Sequence, residues 1–194
     1  MIEHLYATPV YSCMVVDYQT INYHIDKVID KVNFYSLDRW GKTHLISTNF
    51  TKKSPEYFNA IKEFGLKKLQ KEIDNHVKKY CDEIGFEYSK YKMTSWISKF
   101  ESGSYAQIHN HGDADISGVY YYKTNGDDGK FFFESPNDHL NTSRIFKDRG
   151  GVRWEYIPHC GKMILFPGWL KHGVQTNITD NTRISISFNI KFEL

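Results

Sequence analysis

Arg183-Ile184-Ser185-Ile186-Ser187-Phe188-Asn189-Ile190 alternates a polar with an apolar residue at every step. Successive side chains of a β-strand point to opposite faces, so this run reads as a strand. One face, Ile184, Ile186, Phe188 and Ile190, packs; the other, Arg183, Ser185, Ser187 and Asn189, can line a cavity. Working back from it, short strand-like runs with turn signals between them begin at Thr94. They are Thr94–Phe100, Tyr105–Asn110, Ile116–Lys123, Lys130–Glu134, Val152–Ile157, Met163–Phe166, His172–Thr176 and Thr182–Phe192. Asn125-Gly126-Asp127-Asp128-Gly129 has the composition of a hairpin loop. Eight antiparallel strands preceded by helices predict a mainly β fold of the α+β class. Its core is expected to be a double-stranded β-helix, the jelly-roll or cupin-like double sheet.

The first half reads differently. Ile21, Ile25, Val28 and Val32 recur at helical spacing. A second helix is expected from Ser54-Pro55-Glu56, a capping hydroxyl followed by proline, through Phe58, Ile61, Leu69, Ile73, Val77, Cys81 and Ile84. Gly85 ends it, and Gly65 is a weak point at which it can divide in two. No linker, repeat or low-complexity tract interrupts the chain. One domain over 1–194 is expected, with helical support over 1–93 and the jelly-roll core over 94–194.

Composition narrows the function. With 40% hydrophobic and 25% charged residues, the 194-residue chain has the balance of a globular protein. A net charge of +2 with no basic run removes the electrostatic footprint of a nucleic-acid binder. No apolar stretch approaches the roughly 20 residues of a membrane-spanning helix. Met1-Ile2-Glu3-His4 lacks the basic start and apolar run of a signal peptide. Cys13, Cys81 and Cys160 are far apart and form no C-x-x-C pair, so neither a disulfide framework nor a thiolate zinc site is expected. The compartment is read as reducing, hence cytoplasmic. Cys160 beside His159 reads as a small buried thiol next to a loop histidine rather than a nucleophile with its base.

Of nine histidines, His4, His24, His44, His76 and His139 fall in helical or loop contexts and are expected to be solvated. His109-Asn110-His111-Gly112-Asp113 is different when taken with His172. Residues i and i+2 of a strand share a face, so His109 and His111 can aim into one cavity, as can His111 and Asp113 if the strand runs that far. A third ligand from a distant strand closes one face of an octahedron, the facial-triad arrangement of non-haem Fe(II) sites. An H-x-H or H-x-D tripeptide alone carries little weight. The downstream partner matters: Phe166-Pro167-Gly168-Trp169 leads to His172, and Arg183 and Ser185 follow on one face of the last strand. Arg183 offers a planar fork suited to a carboxylate. A buried arginine on an otherwise apolar strand must find an anion, from a ligand or from a protein carboxylate.

Together these residues resemble the 2-oxoglutarate/Fe(II)-dependent oxygenase superfamily. Within it they look like the small oxygenases of marine bacteria and their phages, in the prolyl-hydroxylase-like branch. The resemblance spans Trp96 to Asn189 and rests on Gly103 through His111, Ser117-Gly118-Val119-Tyr120-Tyr121, Phe166-Pro167-Gly168-Trp169 with His172, and Arg183-Ile184-Ser185. Gly103, six residues before His109, stands where that branch usually has glycine. The resemblance implies an oxygenase, a hydroxylase of an unidentified substrate, using Fe(II), 2-oxoglutarate and O2. It implies His109 as the first metal ligand and His172 as the distal one, with Arg183 and Ser185, assisted by Tyr121, on the outer carboxylate of 2-oxoglutarate. Trp169 reads as packing or as a cap on the pocket mouth.

His111 stands where the superfamily normally has a carboxylate. Two ligand sets follow: His109/His111/His172, or His111/Asp113/His172. The glycine spacing favours the first and ligand chemistry the second. Three neutral imidazoles leave Fe(II) to be neutralised by dianionic 2-oxoglutarate, whereas an aspartate would leave one negative charge. In the first set Asp113 or Asp115 is expected to accept an imidazole N–H. A cupin-like protein that binds a metal or small anion without turnover is the competing class, though it has no need of Arg183-x-Ser185. The substrate itself is not identified by any residue; a small molecule or a protein is expected.

Overall fold

A computed structural model describes residues 7–36, 44–48, 58–137, 144–145 and 153–193. Its elements in chain order are β1 (Tyr11–Met14), α1 (Tyr18–Ile29), β2 (Tyr35–Ser36), β3 (His44–Ile46), α2 (Ala60–Glu63), α3 (Lys67–Ile84), β4 (Lys90–Phe100), β5 (Ala106–His109), β6 (Ile116–Lys123), β7 (Phe131–Glu134), β8 (Arg153–Tyr156), β9 (Lys162–Pro167), β10 (His172–Val174) and β11 (Arg183–Glu193). The alternating final run is β11, and it pairs antiparallel with β4 from end to end. A seven-stranded sheet runs β1-β9-β6-β11-β4-β3-β2, and a four-stranded sheet runs β5-β10-β7-β8. These are the antiparallel sheets of a jelly roll, and all eight strands expected after Thr94 take part in them.

The two faces of β11 divide the molecule. Ile184, Ile186, Phe188 and Ile190 join Ile97, Tyr120, Met163 and Leu165 in the main core, covered by Ile21 and Ile25 of α1 and Leu69, Ile73 and Val77 of α3. Burying an aliphatic side chain of this kind stabilises the fold by about 1.5–3 kcal/mol, so this helix-facing layer supplies most of the hydrophobic stabilisation. Gly118 makes the layer possible. A Cβ there would run into the Phe188 ring and lie 2.8 Å from Leu165 Cδ2. The other face of β11 looks between the sheets, where a smaller apolar cluster of Phe131, Phe133, Ile164, Phe166 and Leu170 leaves part of the interior polar.

Helix ends follow local chemistry. Asn59 caps α2 by accepting from the Lys62 backbone N–H at 3.0 Å. The chain turns at Gly65, with φ +65°, before α3 starts, so the expected long helix is two. Gly85 closes α3 in the left-handed conformation, φ +71°. Phe58 precedes α2 and Val32 follows α1; Ser54-Pro55-Glu56 lies outside the described residues.

Two expectations are corrected. The first 93 residues are not helical support alone: β1, β2, β3 and the start of β4 extend the larger sheet. His44 and His76 are not solvated, being 2% and 7% exposed. His44 sits on β3 directly opposite Phe100, and His76 lies on the packed side of α3, where its Nδ1 meets Tyr11 Oη at 2.8 Å. His24 is exposed as expected; His4 and His139 fall outside the described residues. All three cysteines are free thiols.

Candidate metal and co-substrate site

The site begins with register. His109 ends β5, His172 opens β10, and the two are direct cross-strand partners whose side chains therefore share a face. His111 follows the end of β5, fixed by its backbone N–H on Gly168 O at 2.8 Å. Gly168 is needed here because a Cβ would collide with the Ala114 carbonyl. One ligand-capable atom from each of the three imidazoles lies within 4.8 Å of the others. Ring centroids stand 5.0 Å apart for His109 and His111, 4.4 Å for His109 and His172, and 5.1 Å for His111 and His172.

Hydrogen bonding orients the rings. His109 Nδ1 meets Gln107 O at 2.7 Å and His172 Nδ1 meets Leu170 O at 2.8 Å. A carbonyl only accepts, so in both rings Nδ1 carries the proton and Nε2 keeps its lone pair. Burial pushes the His111 pKa down to about 3, reinforced by His109. Burial likewise lowers His172, with help from His109 and His111, and lowers His109 against the pull of the Gln107 carbonyl. Three neutral imidazoles converging on one point are a donor set for a divalent ion. Asp113 is exposed in the turn after His111 and lies outside the cluster. Asp115 does not reach an imidazole, contrary to expectation: its carboxylate accepts from Lys191 Nζ and the Phe192 backbone N–H.

The same cavity, about 60 Å³, is lined by His109, His111, His172, Arg183, Ser185 and Tyr121. Arg183 is 1% exposed and lies with its guanidinium carbon 4.1 Å from the Phe100 ring centroid. Its Nη1 donates to Gly129 O at 2.6 Å and Asp128 O at 3.3 Å, while Nε has no hydrogen-bond partner. No carboxylate pairs with it among the described residues. The nearby Asp128 carboxylate is occupied by Thr124 Oγ1, the Asn125 backbone N–H and Asn181 Nδ2. Gly129, at φ +98°, approaches the Gln175 carbonyl where a Cβ could not fit, which brings its own carbonyl to Arg183. Ser185 pairs across the sheet with Tyr121, whose hydroxyl is pushed up to about 12 by burial and so stays protonated. An unpaired buried cation beside two hydroxyl donors fits one end of a dicarboxylate.

Sequence reasoning missed Asn189, whose amide faces His111, and His44, which stacks on Phe100 at 4.1 Å. Asn189 was legible as a member of the polar face of β11, but nothing in the pattern tied it to a histidine. Trp169 is 51% exposed and is not among the residues lining the cavity. A separate groove of about 360 Å³, bounded by Val10, Phe133, Trp154, Tyr156 and Leu170, shares no lining residue with the imidazole cavity.

An antiparallel double sheet thus carries an imidazole cluster able to hold a metal and, on the same cavity, an arginine with no carboxylate partner among the described residues. Residues 94–189, the jelly-roll core, match the family described as "Putative 2OG-Fe(II) oxygenase", and by this core the protein belongs with the 2-oxoglutarate/Fe(II)-dependent oxygenases. That family uses Fe(II), 2-oxoglutarate and O2, and the three imidazoles are a donor set that fits the metal. The chain matches no curated protein by sequence. Its fold is similar to that of a Pseudomonas putida prolyl-4-hydroxylase, at 10% identity, TM-score 0.67, and coverage of 97% of this chain and 95% of that one. HygX from Streptomyces hygroscopicus, solved with nickel and 2-oxoglutarate bound, is similar at 10% identity and TM-score 0.66, covering 94% and 82%. A prolyl hydroxylase from Trichoplax adhaerens, in complex with a hypoxia inducible factor peptide fragment, gives 12% identity and TM-score 0.65, covering 96% and 84%. Among the described residues no helix is long and apolar enough to cross a membrane.

Proposed function

We propose that the protein is a hydroxylase in which His109, His111 and His172 hold Fe(II) through their Nε2 atoms. Arg183, Ser185 and Tyr121 bind the far carboxylate of 2-oxoglutarate. The observation that carries this reading is Arg183: buried, facing the imidazole cavity, with Nε unpartnered and no carboxylate on its fork among the described residues. Bound Fe(II) supplies the conversion of 2-oxoglutarate and O2 to succinate and CO2, with one oxygen atom entering a substrate C–H bond. The chain's own groups position and shield. The Gln107 and Leu170 carbonyls keep two rings in the binding tautomer, and Phe131, Phe133 and Phe166 around His172 exclude water from that side. The substrate that meets this site is a small molecule or a protein. The chain acts as one domain over 1–194; its free thiols suit a reducing cytoplasm, and its near-neutral charge disfavours nucleic acid.

Anaerobic addition of Fe(II) and 2-oxoglutarate, followed by the visible metal-to-ligand charge-transfer band, tests the assignment. The band is expected in wild type and Asp113→Ala and absent in His109→Ala. Loss in Asp113→Ala alone selects His111/Asp113/His172 instead. Iron bound by wild type without a band leaves a metal-binding protein without 2-oxoglutarate chemistry.

A further inference from the structure

His111 differs from its two neighbours in what meets its outer nitrogen. His109 and His172 each face a backbone carbonyl, which fixes the proton on Nδ1. His111 Nδ1 faces the side-chain amide of Asn189 instead, with Nδ2 at 3.5 Å. The other end of that amide, Oδ1, accepts from Ser117 Oγ at 2.9 Å. Asn189 and Ser117 are direct cross-strand partners on β11 and β6, so the relay is built into the sheet register.

An amide N–H directed at Nδ1 requires a lone pair there and places the ring proton on Nε2, the atom a metal needs bare. Rotating the amide by half a turn exchanges Oδ1 and Nδ2, which have nearly the same shape. Nδ1 then donates to Oδ1, Nδ2 donates to Ser117 Oγ, and Nε2 presents its lone pair to the cluster. A hydroxyl both donates and accepts, so Ser117 satisfies the amide in either orientation.

We propose that Asn189, braced by Ser117, is the positioning residue of His111: its amide orientation selects the tautomer in which that histidine can bind metal. The inference rests on the His109/His111/His172 ligand set proposed above. It explains how a histidine is accommodated where a carboxylate, which needs no tautomer choice, is usual.

Zn(II) alone is a suitable probe, read by competition with a chelating indicator and by long-range 15N–1H NMR of the imidazoles. In wild type Zn(II) should convert His111 to the Nδ1–H form already held by His109 and His172. Asn189→Leu should weaken Zn(II) binding about 10- to 100-fold, the usual cost of losing a group that orients a ligand. Asn189→Asp, which can only accept, should retain at least wild-type affinity with His111 in the Nδ1–H form. Wild-type affinity in Asn189→Leu, or equal losses in the Leu and Asp variants, overturns the positioning role while leaving the ligand set standing. Zn(II) binding unaffected by His109→Ala overturns the ligand set and this inference with it. Should Asn189→Leu fail to fold, Ser117→Ala leaves the amide unbraced; His111 should then split between tautomers, and an unchanged tautomer overturns the relay.

Discussion

Replacing Arg183 with Met separates binding from stability. In the ligand-free protein the arginine contributes charged hydrogen bonds to the Gly129 and Asp128 carbonyls, about 1.5–3 kcal/mol for the shorter of them. Its contact with the Phe100 ring adds about 2 kcal/mol when desolvated. Against these stands the cost of burying a cation that no carboxylate neutralises, several kcal/mol. The terms nearly cancel, so Arg183→Met should change unliganded stability by less than about 2 kcal/mol. Were the arginine half of an internal ion pair, removing it would cost about 3–5 kcal/mol. The ligand response should behave oppositely. At about 100 times its Kd, 2-oxoglutarate stabilises the protein that binds it by about 2.7 kcal/mol. For a chain of this size that is a rise in Tm of roughly 5–11 °C, taking about 2–4 °C per kcal/mol. Thermal melts of Zn(II)-loaded protein, which cannot turn over, should show this rise in wild type and none in Arg183→Met. A variant that keeps the 2-oxoglutarate shift, or that loses more than about 3 kcal/mol without ligand, refutes the assignment.

Other substitutions probe the scaffold. Gly118→Ala should destabilise by about 1–3 kcal/mol in chemical denaturation, because its methyl enters the Phe188 ring and meets Leu165. Asn59→Ala removes the acceptor of the Lys62 N–H and should cost at least about 0.5–2 kcal/mol, and Asn59→Asp should recover only part of it, because a carboxylate cannot donate to Met93 O as the amide does. Stability should also fall with acidity earlier than carboxylates alone would cause. Burial, then Arg183 and His109, push the His44 pKa down to about 3, so the native state refuses a proton that the unfolded chain accepts below its ordinary value of about 6.5. Full stability is therefore present above about pH 6.5 and is lost as pH falls toward about 3, with His44 alone costing about 2 kcal/mol at pH 5. Urea midpoints of metal-free wild type and His44→Gln at neutral and mildly acidic pH check this; parallel losses would show that His44 does not contribute.

The fold was legible where periodicity had length to act. Ile116–Lys123 was anticipated with its observed bounds, and β11 announced itself through eight alternating residues. The β1, β2 and β3 strands hold four, two and three residues, too few for a period; β1 and β3 form against β9 and β4, distant in sequence, and β2 forms against β3. Misreading His44 followed from missing β3: opposite Phe100 it is a strand residue inside the sheet, not a loop residue in water. His76 is a different kind of miss. Ile73, His76, Val77 and Tyr80 are spaced along one face of α3, and the pattern was present in the sequence. Histidine is polar by type, but at this spacing its position makes it part of the core.

The candidate site was legible in its side chains and hidden in its hydrogen bonds, and the reason is geometric. His109, His172 and Arg183 sit on strands, where alternation dictates facing, so their convergence on one cavity follows from the sheet pattern. What orients them is backbone: the carbonyls of Gln107, Leu170, Asp128 and Gly129. Every residue carries a carbonyl, so residue type gives no sign of which ones will be used. Asp115 was the natural choice as an imidazole partner on charge grounds, yet its carboxylate closes the end of β11 through Phe192 N–H and Lys191. The neutral Asn189 stands beside His111 instead. A carboxylate at Nδ1 would hold the same Nδ1–H tautomer while adding a negative charge beside the cluster. An amide can accept the Nδ1–H without adding charge.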